Sequence, residues 1–176
     1  MNATQILDAI ARKYGGCALL REIVILDDLV EDEIKQATAA WWQRHRERGN
    51  TTALDDPFPE GVWTRRIDGL MFDGNQCRTA IEVKVSRADF LRETEEKRRA
   101  WRAVTYRFVY ATPAGLLRPE EIPAGCGLWE VHPDGSVVIA KKARGNKTPD
   151  PIPQRVLVAL AYRLKNAERK SHRDAA

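Results

Sequence analysis

The stretch RRIDGLMFDGNQCRTAIEVKVSRADF, Arg65 to Phe90, constrains this chain more than any other. Two apolar, β-rich runs flank Asp73-Gly74, a pair suited to a hairpin turn, and Ser86 with Asp89 then opens a helix as an S-x-x-D cap. Successive side chains of a strand point to opposite faces, so Glu82, Lys84 and Ser86 share one side while Ile81, Val83 and Val85 share the other. The apolar side is expected to be buried. That leaves a carboxylate beside an ammonium at a strand end, with Asp68 able to join them from the neighbouring strand.

The flanking segments supply a sheet and its cover. Residues 4–14 place Leu7, Ile10 and Tyr14 on one helical stripe, stopped by Gly15-Gly16. Ala18 to Leu26 reads as a strand in which alternation puts Glu22 beside Leu20 and Val24, making it either a functional acid or a residue at the sheet edge. Residues 27–60 open acidic and continue as a helix with Ile34, Ala37, Thr38, Trp41 and His45 in phase; Trp41 suits a core, Trp42 a core or a base-stacking surface, and Gly49 to Gly61 a loop. A helix from Arg87 to Ala103 carries Lys97, Arg98, Arg99 and Arg102, which is either a solvated face or a set of phosphate contacts. A strand over Tyr106 to Pro113 follows, then a hairpin turning at Pro133-Asp134-Gly135 and a basic linker from Lys141 to Pro153. A closing helix, Gln154 to Asn166, has Leu157, Leu160 and Leu164 on one stripe. This order predicts an α/β fold with a mixed central sheet flanked by helices.

E-x-K by itself is a weak signal, since the chain carries it at Glu33/Lys35, Glu82/Lys84, Glu95/Lys97 and Glu168/Lys170. Three of these lie in helical stretches, where residues two apart diverge; only Glu82 and Lys84 lie in a strand, where they converge. The bland reading is a solvent-facing ion pair worth under about 1 kcal/mol. Two carboxylates converging on one point, however, raise each other's pKa unless a cation sits between them, and a hard divalent ion, most simply Mg²⁺, resolves this. Such an ion polarises a phosphoryl oxygen and acidifies a bound water, while a neighbouring lysine orients or helps deprotonate that water. The chemistry is phosphodiester hydrolysis.

Composition sets limits rather than a function. The net charge of +4 and the pI near 9.1 favour a polyanionic partner without requiring one. Cys17, Cys77 and Cys126 are too few and too scattered for a disulfide framework or a zinc site and are expected to be reduced. The histidines are equally scattered, and no phosphate-binding loop or dinucleotide fingerprint occurs. With no leader and no long apolar run, the chain is expected to be cytoplasmic and free of membranes.

Asp68 followed by Glu82-Val83-Lys84 resembles the PD-(D/E)XK nuclease superfamily, whose restriction-endonuclease-like core has a similar order of elements. More narrowly, RRIDGLMFDG, IEVKVSRADF, KRRAW, YRFVYATP and CGLWEV look like MmcB-type DNA repair proteins, over most of residues 4–131. The resemblance implies a metal-dependent DNA endonuclease of repair or recombination. It assigns Asp68, Glu82 and the Val83 carbonyl to Mg²⁺, with Mn²⁺ able to substitute, Lys84 to the water, and Glu22 to an accessory acid. Ser86, Arg87, Lys97, Arg98, Arg99 and Arg102 are the expected DNA contacts. Residues 1–140 would form the nuclease-like domain, with 27–60 as a helical insertion, and 141–176 the basic linker and a helix packing on it. DNA is the expected partner; a homodimer stays open. The rival readings are a non-cutting DNA-binding module of the same fold and a protein-interaction subunit.

Overall fold

Asn2 starts the first helix: its side chain accepts the Gln5 N–H, the Gln5 side chain accepts the Asn2 N–H in return, and helix α1 runs Ala3–Lys13. The structure, a computed structural model, describes residues 1–27, 31–47 and 64–174. Strand β1 (Ala18–Leu26) follows, then helix α2 (Glu31–Glu47), strands β2 (Thr64–Phe72) and β3 (Arg78–Val83), and helices α3 (Arg87–Leu91) and α4 (Glu95–Val104). Strands β4 (Arg107–Pro113), β5 (Gly127–Val131) and β6 (Val137–Lys141) and helix α5 (Gln154–Asp174) complete the order.

The strands form one sheet in the order β1-β2-β3-β4-β5-β6. The pairs β3–β4 and β4–β5 are parallel and the others antiparallel, so the protein is α/β with a mixed sheet flanked by helices. The β2–β3 turn forms where expected: Asp73 accepts the N–H groups of Asn75 and Cys77 through one carboxylate oxygen. A parallel neighbour for β3 requires a crossover, and α3 with α4 supplies it.

Each face of the sheet has its own apolar layer. Trp101 of α4, Val156 of α5, Tyr110 and Leu128 pack on one side; Ile6 and Ile10 of α1 pack with Ile81, Val109 and Val131 on the other. Gly69 allows α1 to settle closely, because a Cβ there would lie 3.1 Å from a Leu7 methyl and 3.3 Å from the Ile81 Cβ.

Three expectations are corrected. The helix expected from Arg87 to Ala103 is two helices, α3 and α4, with Arg92, Glu93 and Thr94 between them. The closing helix runs to Asp174, and Leu157 and Leu164 are exposed, while Val156 is buried and Leu160 partly so. Arg163 sets that orientation by donating to the carbonyls of Arg21 and Glu22, which turns Val156, Leu160 and Arg163, spaced i, i+4, i+7, toward the sheet. Val85 is exposed because β3 ends at Val83. Trp41 is buried and Trp42 exposed against it, edge to face; residues 49–61 lie outside the described residues. The three cysteines are free, and among the described residues no helix is long and apolar enough to cross a membrane.

Candidate active site

The ladder between β2 and β3 ends at Gly69 and Ile81, and beyond it the strands part. Val83 is left with an N–H that β2 no longer satisfies, and the Asp68 carboxylate accepts it at 2.8 Å. This bond seats Asp68 beside Glu82, and both line one cavity. Lys84 follows directly: its N–H still donates to Ala111 of β4, and its ammonium reaches Glu82 at 2.8 Å. Glu93, delivered by the break between α3 and α4, lies at 2.8 Å from the same ammonium, and Asp89 at 3.8 Å.

The cluster is covered. Lys84 has 6% of its side chain exposed, Glu82 17% and Glu93 4%. It lies in a cavity of about 510 Å³ that Asp68, Glu82, Lys84, Glu93, Arg66 and Lys97 help to line. Burial, followed by the Asp68 charge, pushes Glu82 up to about 7, with Lys84 opposing the rise. Asp68 is also raised by burial, against the Val83 hydrogen bond and the charge of Lys84. Burial works against the charge of Lys84, yet Glu82 and then Glu93 hold it at about 12. The lysine therefore stays cationic at neutral pH.

The donor set suits a hard cation. Asp68 and Glu82 each spend one oxygen on a protein hydrogen bond, and the second oxygen of each has none among the described residues. No group of three or more acidic, histidine or cysteine residues among the described residues is arranged to hold a metal. Mg²⁺ does not require one, since one or two carboxylates with waters and a substrate phosphate commonly suffice.

Not every expected residue joins the cluster. Glu22 has φ 51, interrupts the β1–β2 ladder between the pairs Arg21–Gly69 and Ile23–Ile67, and is exposed on the edge strand. Leu20, Ile23 and Ile25 all face the same core, so alternation breaks at Glu22, which does not line the cavity. Ser86 caps α3 by accepting the Asp89 N–H. Arg87 is held in a two-pronged ion pair by Glu121.

The basic run of α4 also divides by side. Arg98 is buried, bonded to Glu95 and to the Tyr110 hydroxyl; Arg99 is bidentate to the buried Asp27; Arg102 pairs with Glu95. Lys97 alone of the four lines the cavity that holds Lys84, and Arg66, which no sequence pattern singles out, lines it as well. Arg102 opens instead onto a second groove of about 470 Å³ that Arg144 of the basic linker shares. Gly125, at φ 81, admits the Arg102 guanidinium, whose Nη2 lies 3.2 Å from where a Cβ would sit. Lys141 is occupied structurally, donating to the carbonyls of Pro119 and Ile122. These roles predict opposite outcomes for adjacent residues. Arg98→Met should lower stability by about 2–4 kcal/mol, because Tyr110 and Glu95 lose a buried partner. Lys97→Met should leave thermal unfolding unchanged; equal melting losses would mean that both are structural.

The chain is similar to a solved protein of unknown function from Silicibacter pomeroyi, at 17% identity and a TM-score of 0.54, over 97% of this chain and 88% of that one. No family model and no curated protein matches it. The likeness shows a common α/β fold; function has to be argued from the residues in the cavity.

Proposed function

We propose that this protein is a Mg²⁺-dependent deoxyribonuclease that hydrolyses phosphodiesters in DNA repair or recombination, on a restriction-endonuclease-like core similar to that of MmcB-type proteins. The observation that carries the reading is the half-buried pair Asp68 and Glu82, both raised in pKa, with the buried Lys84 ammonium 2.8 Å from Glu82 in one cavity.

Asp68 and Glu82 would hold the ion together with the Val83 carbonyl; bound there, it would polarise the phosphoryl oxygen and acidify a water. Lys84, cationic at about 12, donates hydrogen bonds to orient the nucleophile and offsets charge developing on phosphate; it does not accept the proton. Arg66 and Lys97 supply positive charge to the same cavity for the phosphates flanking the scissile bond. Arg102 and Arg144 can take phosphates further along the strand.

One observation favours a non-cutting DNA-binding module. Lys84 is flanked by Glu82, Glu93 and Asp89, as a purely structural lysine would be. Incubation with single-stranded, duplex, flapped and branched DNAs plus Mg²⁺ or Mn²⁺ separates the two. Metal-dependent cleavage of at least one substrate is expected; binding without cleavage across the panel would install the module instead. In either case the affinity should fall linearly in log–log form as salt rises, with Lys97→Gln or Arg144→Gln each reducing the slope by about 1. A salt-independent affinity would remove the phosphate contacts from the account.

A further inference from the structure

Glu93 is a buried carboxylate that the proposed reaction does not use. Its side chain is 4% exposed, against 17% for Glu82, and burying a carboxylate is unfavourable unless a cation meets it. The cation is Lys84, at 2.8 Å. Glu93 reaches it because the chain leaves α3 at Arg92, where the Glu93 N–H closes onto the Phe90 carbonyl before α4 starts at Glu95. The Lys84 ammonium is thus shared by two carboxylates at equal distance, one of them the proposed ligand Glu82 and the other Glu93.

We infer that Glu93 is a positioning residue for Lys84, holding its ammonium at the site so that Glu82 is free to turn its charge toward a cation. Its use rests on the nuclease reading, whereas its geometry rests on the ion pair alone. With Glu93 present, Lys84 keeps a close anionic partner when Glu82 is engaged elsewhere. Without it, Lys84 is held by one close carboxylate instead of two, and a cation has to break that remaining ion pair with Glu82 before it binds.

The test uses the full chain, the isosteric variant Glu93→Gln, the variant Lys84→Met and their double. The first readout is the Lys84 NH₃⁺ resonance in ¹H–¹⁵N spectra without metal. It should be slow to exchange in wild type and lost or broadened in Glu93→Gln; an unchanged resonance overturns the inference. The second is the midpoint of a Mn²⁺ titration followed by thermal melting. Glu93→Gln should raise it about tenfold, the size of one charge-assisted hydrogen bond. In the Lys84→Met background the same change should move it less than about threefold, because the competitor is gone. An equal effect in both backgrounds would mean that Glu93 acts directly on the ion and would overturn the positioning role. Should wild type show no Mn²⁺ response while Glu93→Gln still loses the Lys84 resonance, the nuclease reading fails and the positioning role stands.

Discussion

Glu82→Gln is expected to reduce metal-dependent DNA cleavage by at least about a thousandfold in a protein that melts no lower than wild type. The carboxylate is held up to about 7 by burial and by Asp68, so its charge is unfavourable in the folded state and the amide relieves it. The Gln oxygen can still accept from Lys84, which keeps the local geometry. Lys84→Met should lose as much activity but should unfold more easily, by about 3 kcal/mol, because Glu82 and Glu93 would keep their burial without the cation between them. The two variants therefore agree in activity and differ in sign in stability. Cleavage assays beside thermal melts check both. Near-native cleavage by Glu82→Gln, with contaminating nucleases excluded, removes the active-site assignment; a large melting loss in Glu82→Gln makes the pair structural.

The part of this arrangement that local rules govern was legible in the sequence. Period-two alternation places Glu82 and Lys84 together, a hairpin turn brings Asp68 to the next strand, and Ser86 caps the helix that follows. The part that tertiary contacts govern was not. Glu93 looks like one more surface acid on a continuous charged helix until the chain breaks at Arg92 to Thr94 and carries it inward. A signal was there: Thr94-Glu95-Glu96 has the composition of a helix start, with acids in the first turn. The run from Lys97 to Arg102 misleads for a related reason. Helical period sends Arg98 and Arg102 to Glu95, three and seven residues before them, and Arg99 to Asp27 across the fold. The Glu95 pairings can be found by spacing alone; the Asp27 contact cannot. Of the two readings of Glu22 the structure has the sheet-edge one, and no local cue chose between them, since its positive φ switches the face of β1 in the middle of an apolar run.

Asp68→Asn should abolish most of the stabilisation that Mg²⁺ or Mn²⁺ confers, and the pH dependence of that stabilisation follows from Glu82. Its carboxyl is raised from 4.5 to about 7. Between those values the folded protein keeps a proton that the unfolded chain has released, so stability falls as pH rises through the window and levels off above it. The loss is on the order of 3 kcal/mol, and Asp68, also raised, adds in the same direction. A cation binding the two ionised carboxylates reverses this, so the metal-induced rise in melting temperature should be small near pH 5 and largest above pH 7, where protons no longer compete. At about a hundredfold excess over its dissociation constant the ion contributes roughly 2.7 kcal/mol, or about 5–10 °C for a chain of this size. Ca²⁺ should give a comparable rise and little cleavage, because its looser shell holds water and phosphate less well in line. In Asp68→Asn the amide oxygen can still accept the Val83 N–H, so the parted strands keep their bridge. Glu82 loses the neighbouring charge that helps to raise it, and the metal-free variant should be at least as stable as wild type above pH 7 with a flatter pH profile. Thermal melts from pH 5 to 8, with and without Mn²⁺, check every part of this. An undiminished metal shift in Asp68→Asn would mean that the ion binds elsewhere, and that the strands part at Gly69 for a reason unconnected with catalysis.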